Sequence, residues 1–259
     1  MPATERELIT ARIFFRAAFP VMKVVLEDDP AMKARFAGVK ARVQFAARND
    51  AETIGAYLVF DETGFRVEQG LCENPDLTFS FGSVGKMNAM LRGKPVLPRI
   101  KGLTKLGLLI KVMQLLLSLK IMMPTVRPKA PEKRKLKVKM AFYMITTALS
   151  QYNKGGDPEM AKWTAKQPDR IYQMSVEPEG IAAYVRVKGG RSKAGRGLYV
   201  RRKPFVHMRF HGVDGALAVL LKDADFVESV ARGFVTIDGS PEYAASLNDF
   251  MMRIQTLTT

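Results

Sequence analysis

Chemistry needs side chains of the right type held close together, and this sequence offers few. Its only histidines are His207 and His211, and its only cysteine is Cys72. On a strand, two residues four apart share a face but stand roughly 13 Å apart at about 3.3 Å per residue, too far for one metal. No cysteine or acid sits beside them to complete a ligand set. Cys72 has no base partner in view, so it reads as an inert or structural thiol rather than a nucleophile. The segment Ser192–Gly197 is glycine-rich and basic. It lacks the strand–loop–helix setting of a phosphate-cradling loop and reads as a mobile hairpin loop. No acid pair, triad or cofactor fingerprint occurs, so the expectation is a protein that is not an enzyme and uses no metal or cofactor.

What the chain has in abundance is positive charge. It carries 41 Lys and Arg against 25 Asp and Glu, a net charge of +16. Such a surplus biases a protein toward polyanions: anionic lipid headgroups, nucleic acid, or acidic partners and ligands. Eight of these charges, Arg186, Lys188, Arg191, Lys193, Arg196, Arg201, Arg202 and Lys203, fall in one run with no acid among them. That run reads as a solvated face or as a contact for a headgroup or bilayer. Nucleic acid is the weakest reading, because Tyr199 is the run's only aromatic and stacking needs more. The expected anion or membrane contacts are Arg127, Lys133, Arg134, Lys135, Arg191, Lys193 and Arg196.

Hydrophobic residues make up 47% of the 259, enough for a sizeable core. No signal peptide is evident in residues 1–20, where Glu5 and Glu7 interrupt any apolar run. With one cysteine there is no internal disulfide, which fits a reducing compartment. The expected location is cytoplasmic, with a peripheral place on the membrane.

The elements that must position these residues occur twice. A shift of 127 to 129 residues sets Asp29-Pro30-Ala31-Met32 on Asp157-Pro158-Glu159-Met160, Ile54 and Tyr57 on Ile181 and Tyr184, and Phe81 on Phe210. With about eight more residues in the second half, Ile100-Lys101-Gly102 falls on Ile237-Asp238-Gly239. The expected organisation is copy one at 1–123, a basic Pro-rich linker at 124–136 and copy two at 137–259. Copy one reads as a helix over 5–26 broken or kinked at Pro20, a helix started by Asp29-Pro30, strands at 41–47, 54–60, 64–70 and 76–81, a helix at 84–91 and a strand at 96–100. Copy two reads as helices at 137–153 and 157–166, strands at 171–177, 181–188, 195–202 and 205–210, a helix at 213–221, a strand at 234–238 and a last helix at 241–257. The fold class is therefore α+β: two copies of a five-stranded, mostly antiparallel sheet with helices on one face.

Copy one ends in Gly102–Met123. From Leu106 to Met123 only Gly107, Lys111, Gln114, Ser118 and Lys120 interrupt the apolar residues. Lys111, Gln114 and Ser118 are three and four apart, so they form one narrow stripe on a helix. As one helix the 22 residues would be roughly 33 Å long. Three roles compete: a buried core helix, a wall or lid for a greasy cavity, or an element that dips into a membrane. A transmembrane span is disfavoured by Lys111 in mid-run and by the lack of a second span.

The order of elements resembles the sterol carrier protein 2 family. The resemblance is best in copy two, over Phe205–Phe210, Val213–Leu221 and Asp225–Gly239, and copy one shows the same grammar in Leu77–Phe81, Leu91–Lys94 and Arg99–Gly102. It covers most of both halves, in strand and turn chemistry rather than a catalytic signature. The resemblance implies a hydrophobic tunnel between the sheet and the last helix, occupied by a sterol, acyl chain, phospholipid or isoprenoid. Periodicity then places Phe79, Phe81, Leu109, Ile110, Met113 and Leu117 as lipid-binding in copy one. In copy two it places Met208, Phe210, Leu247, Phe250, Met251 and Ile254. A tail of about sixteen methylenes gains on the order of 13 kcal/mol on leaving water, but it is already dry in a bilayer, so exchange with membrane can be reversible. The expected function is non-enzymatic binding or transfer of a lipid-like molecule, with a basic surface docking on anionic membrane. A second possibility is an accessory protein that presents lipid substrates to partner enzymes. The oligomeric state is open.

Overall fold

The computed structural model describes residues 2–221, 223 and 225–259. The chain divides into two compact units. One runs to Leu119 and takes in Leu257–Thr259; the other is Lys120–Thr256.

In the first unit, helices α1 (Glu5–Ile13) and α2 (Phe19–Asp28) are joined by a π-helical turn over Phe14–Ala18. At the expected break or kink at Pro20, a π-helical turn separates the two α-helices and the chain stays helical. The Phe19 N–H reaches back to the Phe14 carbonyl, and Pro20, which has no N–H to give, sits in the first turn of α2. The wide turn takes up the missing donor, so the helical path continues. Thr4 caps α1 in a capping box with Glu7. Asp29 caps α3 (Pro30–Phe36) by accepting from the Ala31 and Met32 N–H groups.

Five strands follow: β1 (Ala41–Asn49), β2 (Glu52–Asp61), β3 (Gly64–Gln69), β4 (Leu77–Phe81) and β5 (Arg99–Lys101), with α4 (Val84–Leu91) between the last two. Their order across the sheet is β3-β2-β1-β4-β5. All neighbours are antiparallel except the central pair, β1 with β4. The alternation read in the sequence is real. Val43, Phe45 and Ala47 lie opposite Leu77, Phe79 and Phe81 and are buried. Phe45 stacks on Phe79 at 4.8 Å between ring centroids and meets Phe19 of α2 at 4.9 Å. A 3-10 turn at Leu103–Lys105 leads into α5 (Leu106–Ser118), which lies against α2 and α3. A second 3-10 turn covers Leu119–Met122. The single 22-residue helix is thus a 13-residue helix between two tighter turns.

The second unit repeats this plan. After α6 (Pro131–Lys154) and α7 (Pro158–Ala165) come β6 (Arg170–Glu177), β7 (Ile181–Lys188), β8 (Arg191–Arg196) and β9 (Val206–His211). Then follow α8 (Gly212–Leu220), α9 (Phe226–Ala231), β10 (Val235–Gly239) and α10 (Pro241–Thr258). The sheet order is β10-β9-β6-β7-β8, with β6 and β9 the parallel pair. Read from the other edge it is the topology of the first sheet. Tyr172, Met174, Val176, Met208 and Phe210 form its buried face, and Phe142 of α6 meets Phe210 at 5.2 Å. The fold is α+β: two mixed five-stranded sheets, each packed against helices.

Several boundaries differ from the sequence reading: the strand expected at 96–100 is the shorter β5 at Arg99–Lys101, and α9 was not expected. The basic stretch beginning at Lys133 is the first turns of α6 rather than the end of a linker, because Pro131 takes the first helical turn, where its missing N–H costs nothing. The segment Ser192–Gly197 is not a free loop, and 195–202 is not the strand: Arg191–Arg196 is the edge strand β8. Gly189 and Gly190 both have positive φ (50° and 79°) and make the two-residue hairpin turn, with Lys188 paired to Arg191. Its alternation is cryptic because outward residues are cationic and only Ser192 is buried, held by Asn153 Nδ2 (3.1 Å) and bonded to the Ser150 carbonyl (3.2 Å). Charge on an edge strand also protects it from pairing with other chains.

Candidate functional site

The two helices that end the copies are set by the same glycine device. Gly102 and Gly239 close β5 and β10 with φ of 90° and 99°. A Cβ on Gly102 would lie 2.2 Å from the Asp76 carbonyl oxygen, and one on Gly239 would lie 2.0 Å from that of Phe205. The backbones meet there, Asp76 N–H donating to the Arg42 carbonyl and Phe205 N–H to the Ile171 carbonyl. Only glycine takes both the conformation and the approach. After each glycine the chain turns into α5 or α10.

In α10 the burial follows the helical period. Ala244, Leu247, Phe250 and Ile254 are buried, and Glu242, Asp249 and Arg253 face out. Phe250 and Tyr243 pack on Trp163 of α7, at 5.4 and 6.3 Å. Arg170, at the start of β6, lies over the Phe205 and Tyr243 rings at 3.9 and 4.4 Å. One nitrogen of its guanidinium, Nη1, is buried with no hydrogen-bond partner.

In α5 only Val112 and Leu115 are fully buried. The polar stripe of Lys111, Gln114 and Ser118 is half-buried, and the Gln114 Oε1 is buried without a partner. The outward row is apolar instead. Leu106 is 59% exposed, Ile110 50%, Met113 38% and Leu117 49%, with Leu103 at 59% in the turn before them. A helix whose job is only to cover a core puts charge on that side.

The expected lipid-binding residues therefore divide. Phe79, Phe81, Met208, Phe210, Leu247, Phe250 and Ile254 are buried in their units' cores, and Leu109 and Met251 are half-buried. Ile110, Met113 and Leu117 stand on the outside of α5, so the structure does not bring them together with Phe79 and Phe81.

The expected anion contacts divide too. Arg127 forms a two-pronged bond with Asp223 (2.8 and 2.5 Å), and Arg134 pairs with Asp214. Arg196 lies over the Tyr143 ring at 4.8 Å. Lys133, Lys135, Arg191 and Lys193 are exposed. In the wider basic run, Asp169 binds both Arg186 and Arg202, and these cations hold its carboxyl down to a pKa of about 2. The run carries less free charge than its composition suggested.

Lys137 was not singled out in the sequence and is, among the described residues, the most buried charged side chain. Its ammonium donates to the carbonyls of Ile121 (2.8 Å), Met123 (2.7 Å) and Val126 (2.8 Å). Burial, and then the nearby Arg127 charge, pull its pKa down to about 8. Nothing in a Lys-rich stretch marks one lysine as the inward one except the helical period, read from a helix start at Pro131.

The histidines share β9 but make separate contacts. The Tyr199 N–H donates to Gln173 Oε1 (2.7 Å), which turns the Gln173 amide nitrogen toward His207 Nε2 (3.2 Å). That nitrogen is then an acceptor, and the Ser175 hydroxyl donates to it at 2.8 Å. Burial and then Arg209 lower the His207 pKa, favouring the neutral ring. His211 meets Thr236 Oγ1 at 2.7 Å. The Cys72 N–H donates to Gln44 Oε1 (2.6 Å), the counterpart in copy one of the Tyr199–Gln173 bond. Ser175 is buried, so the Ser175–His207 pair is a structural bond of the sheet face rather than a presented nucleophile.

No family model matches the chain, and no curated protein matches it. Among solved structures, the stereoselective inverting sec-alkylsulfatase Pisa1 from Pseudomonas sp. is similar at 12% identity and a TM-score of 0.26, over 63% of this chain and 31% of that one. A double mutant of the enzyme gives 12% and 0.28, over 65% and 30%. The chain spans about a third of the length of those structures, and a likeness at this level carries no argument.

Proposed function

We propose that the protein binds or transfers a hydrophobic, lipid-like molecule without catalysing a reaction on it, and works at the surface of anionic membrane. The observation that carries this reading is the apolar surplus of α5. From Leu106 to Ser118 the helix buries only Val112 and Leu115 completely, yet seven of its other eleven residues are Leu, Ile or Met. Folding alone does not call for that girth, and apolar surface left over after folding is the surface that meets apolar ligands or membranes. The duplication adds support, since each copy turns at a left-handed glycine into a helix with a buried apolar face, in the order that resembles the sterol carrier family. The test is native mass spectrometry of gently purified protein, followed by organic extraction. One or two defined lipids per chain are expected. A clean protein mass, unchanged after incubation with vesicles, would remove the carrier reading.

A further inference from the structure

We infer that the outer row of α5 is the element that enters the membrane, and that its partner is the interfacial layer of an anionic phospholipid leaflet. This deepens the lipid-handling reading, on which the choice of a bilayer rests, and it moves the docking surface. The cations expected to dock were those of the linker and of the β7–β8 region; the geometry points to the first unit.

Two independent observations meet at α5. The first is the row itself: Leu103, Leu106, Ile110, Met113 and Leu117, one large apolar side chain per turn, all exposed. Five such residues together approach the size, about 300–600 Å², at which one exposed patch on a monomer is often functional. The second is the charge around the row. From Leu77 to Leu119, within the first unit, the chain holds seven Lys and Arg and not one Asp or Glu; of the seven, Lys105 is paired with Asp76. Lys94, Arg99 and Lys101 are exposed just before α5. Leu97, 94% exposed, lies between the first two.

Charge decides the occupant. A second copy of this face would bring the same cations against themselves, and like charges meeting across an interface are repelled. An anionic leaflet supplies the opposite sign to the rim and an apolar layer to the row. The length agrees with lying in the plane. Thirteen residues make about 20 Å of helix, short of the roughly 30 Å hydrocarbon core. Among the described residues no helix is long and apolar enough to cross a membrane. A helix held by Val112 and Leu115 on one side and presenting Leu, Ile and Met on the other enters to the headgroup–acyl boundary, with the cations at the phosphates.

The experiment is flotation of the full chain with phosphatidylcholine vesicles, with and without phosphatidylglycerol. Three proteins are compared: wild type, the outer-row variant Ile110→Gln with Leu117→Gln, and the rim variant Arg99→Gln with Lys101→Gln. Wild type is expected to float only with the anionic vesicles. The outer-row variant should lose about tenfold or more in partitioning, since each apolar side chain withdrawn from water contributes. The rim variant should lose a smaller factor that disappears in high salt. Light scattering is run on the same samples. A wild-type dimer that the outer-row variant turns to monomer would overturn the inference and make the row a self-interface. Equal flotation by wild type and outer-row variant would overturn it too. Extracted lipid is scored separately: flotation through α5 with no carried lipid would leave the docking inference standing and sink the carrier reading.

Discussion

Helices α5 and α10 occupy the same place in a repeated fold, each reached through a glycine that no other residue can replace, yet their surfaces differ. In α10, Leu247, Phe250 and Ile254 go inward and Asp249 and Arg253 go outward, and Arg253 reaches Glu159 of α7 at 2.5 Å. In α5 the outward positions are Leu106, Ile110, Met113 and Leu117. The comparison shows which features belong to the fold and which were added. The buried face is needed in both copies, because it packs on the helices beneath it, α2 and α3 in one copy and Trp163 of α7 in the other. The outer face is free, and copy two uses it for charge while copy one uses it for leucine. Duplication thus supplies an internal control: what the copies share is what the fold requires, and where they part is where the proposed docking surface lies.

The largest effects should separate the two helices. Phe250→Ala removes a buried ring packed on Trp163 and should cost about 3–5 kcal/mol. Leu117→Gln on α5 should change stability by no more than about 0.5 kcal/mol, because it alters an exposed position. Urea unfolding of both variants checks this. A Leu117→Gln loss as large as that of Phe250→Ala would mean that the outer row of α5 is needed for folding and is not spare surface.

A second test asks whether the copies truly share the device that launches these helices. Gly102→Ala and Gly239→Ala each set a Cβ against a carbonyl oxygen at 2.2 and 2.0 Å and force a positive φ on alanine. Each should destabilise its unit by about 2–4 kcal/mol, by equal amounts within error. Thermal melts of the two variants read this directly. A large cost at one glycine and none at the other would break the equivalence of the copies, however similar the strand orders are.

Much of this architecture was legible, and the reasons are particular. The offset that aligned Asp29-Pro30 with Asp157-Pro158 located both helix caps, since Asp at the cap and Pro in the first turn act locally. Leu77, Phe79 and Phe81 declared their strand because period two is visible when one face is buried. Edge strand β8 was missed because its outward residues are lysine and arginine and its inward ones are small, which leaves no hydrophobic alternation to see. The site was less legible than the fold. Periodicity grouped Ile110, Met113 and Leu117 with Phe79 and Phe81 because all are apolar and suitably spaced. Hydrophobic spacing gives the face of a helix but not what stands against it, and for a helix apolar on almost every side it does not give the face either. The inward turn of Lys137 depended on where α6 begins, and two prolines before it with a third in its first turn blurred that start.

The smallest effect concerns that lysine and sharpens the comparison further. Lys137 binds three carbonyls after α5 and is buried, while the opening helix of the first unit has Leu8 and Ile9 at the corresponding place. Its pKa is about 8 folded against 10.5 unfolded. A base with the lower pKa in the folded state costs stability when it is charged. The cost is complete below about pH 8 and gone above about pH 10.5, so the second unit should gain stability as pH rises through this window. The gain is at most about 3 kcal/mol, at about 1.4 kcal/mol per pH unit. Hydrogen exchange or residue-resolved unfolding between pH 7 and 10 should show the gain in Lys120–Thr256 and not in the first unit. Lys137→Met should abolish the pH dependence while losing about 1–3 kcal/mol at pH 7, because three carbonyls are left without their donor. A pH response of equal size in both units, or one that survives Lys137→Met, would assign it to the surface charges common to both copies and leave Lys137 as a simple tie between α6 and the segment before it.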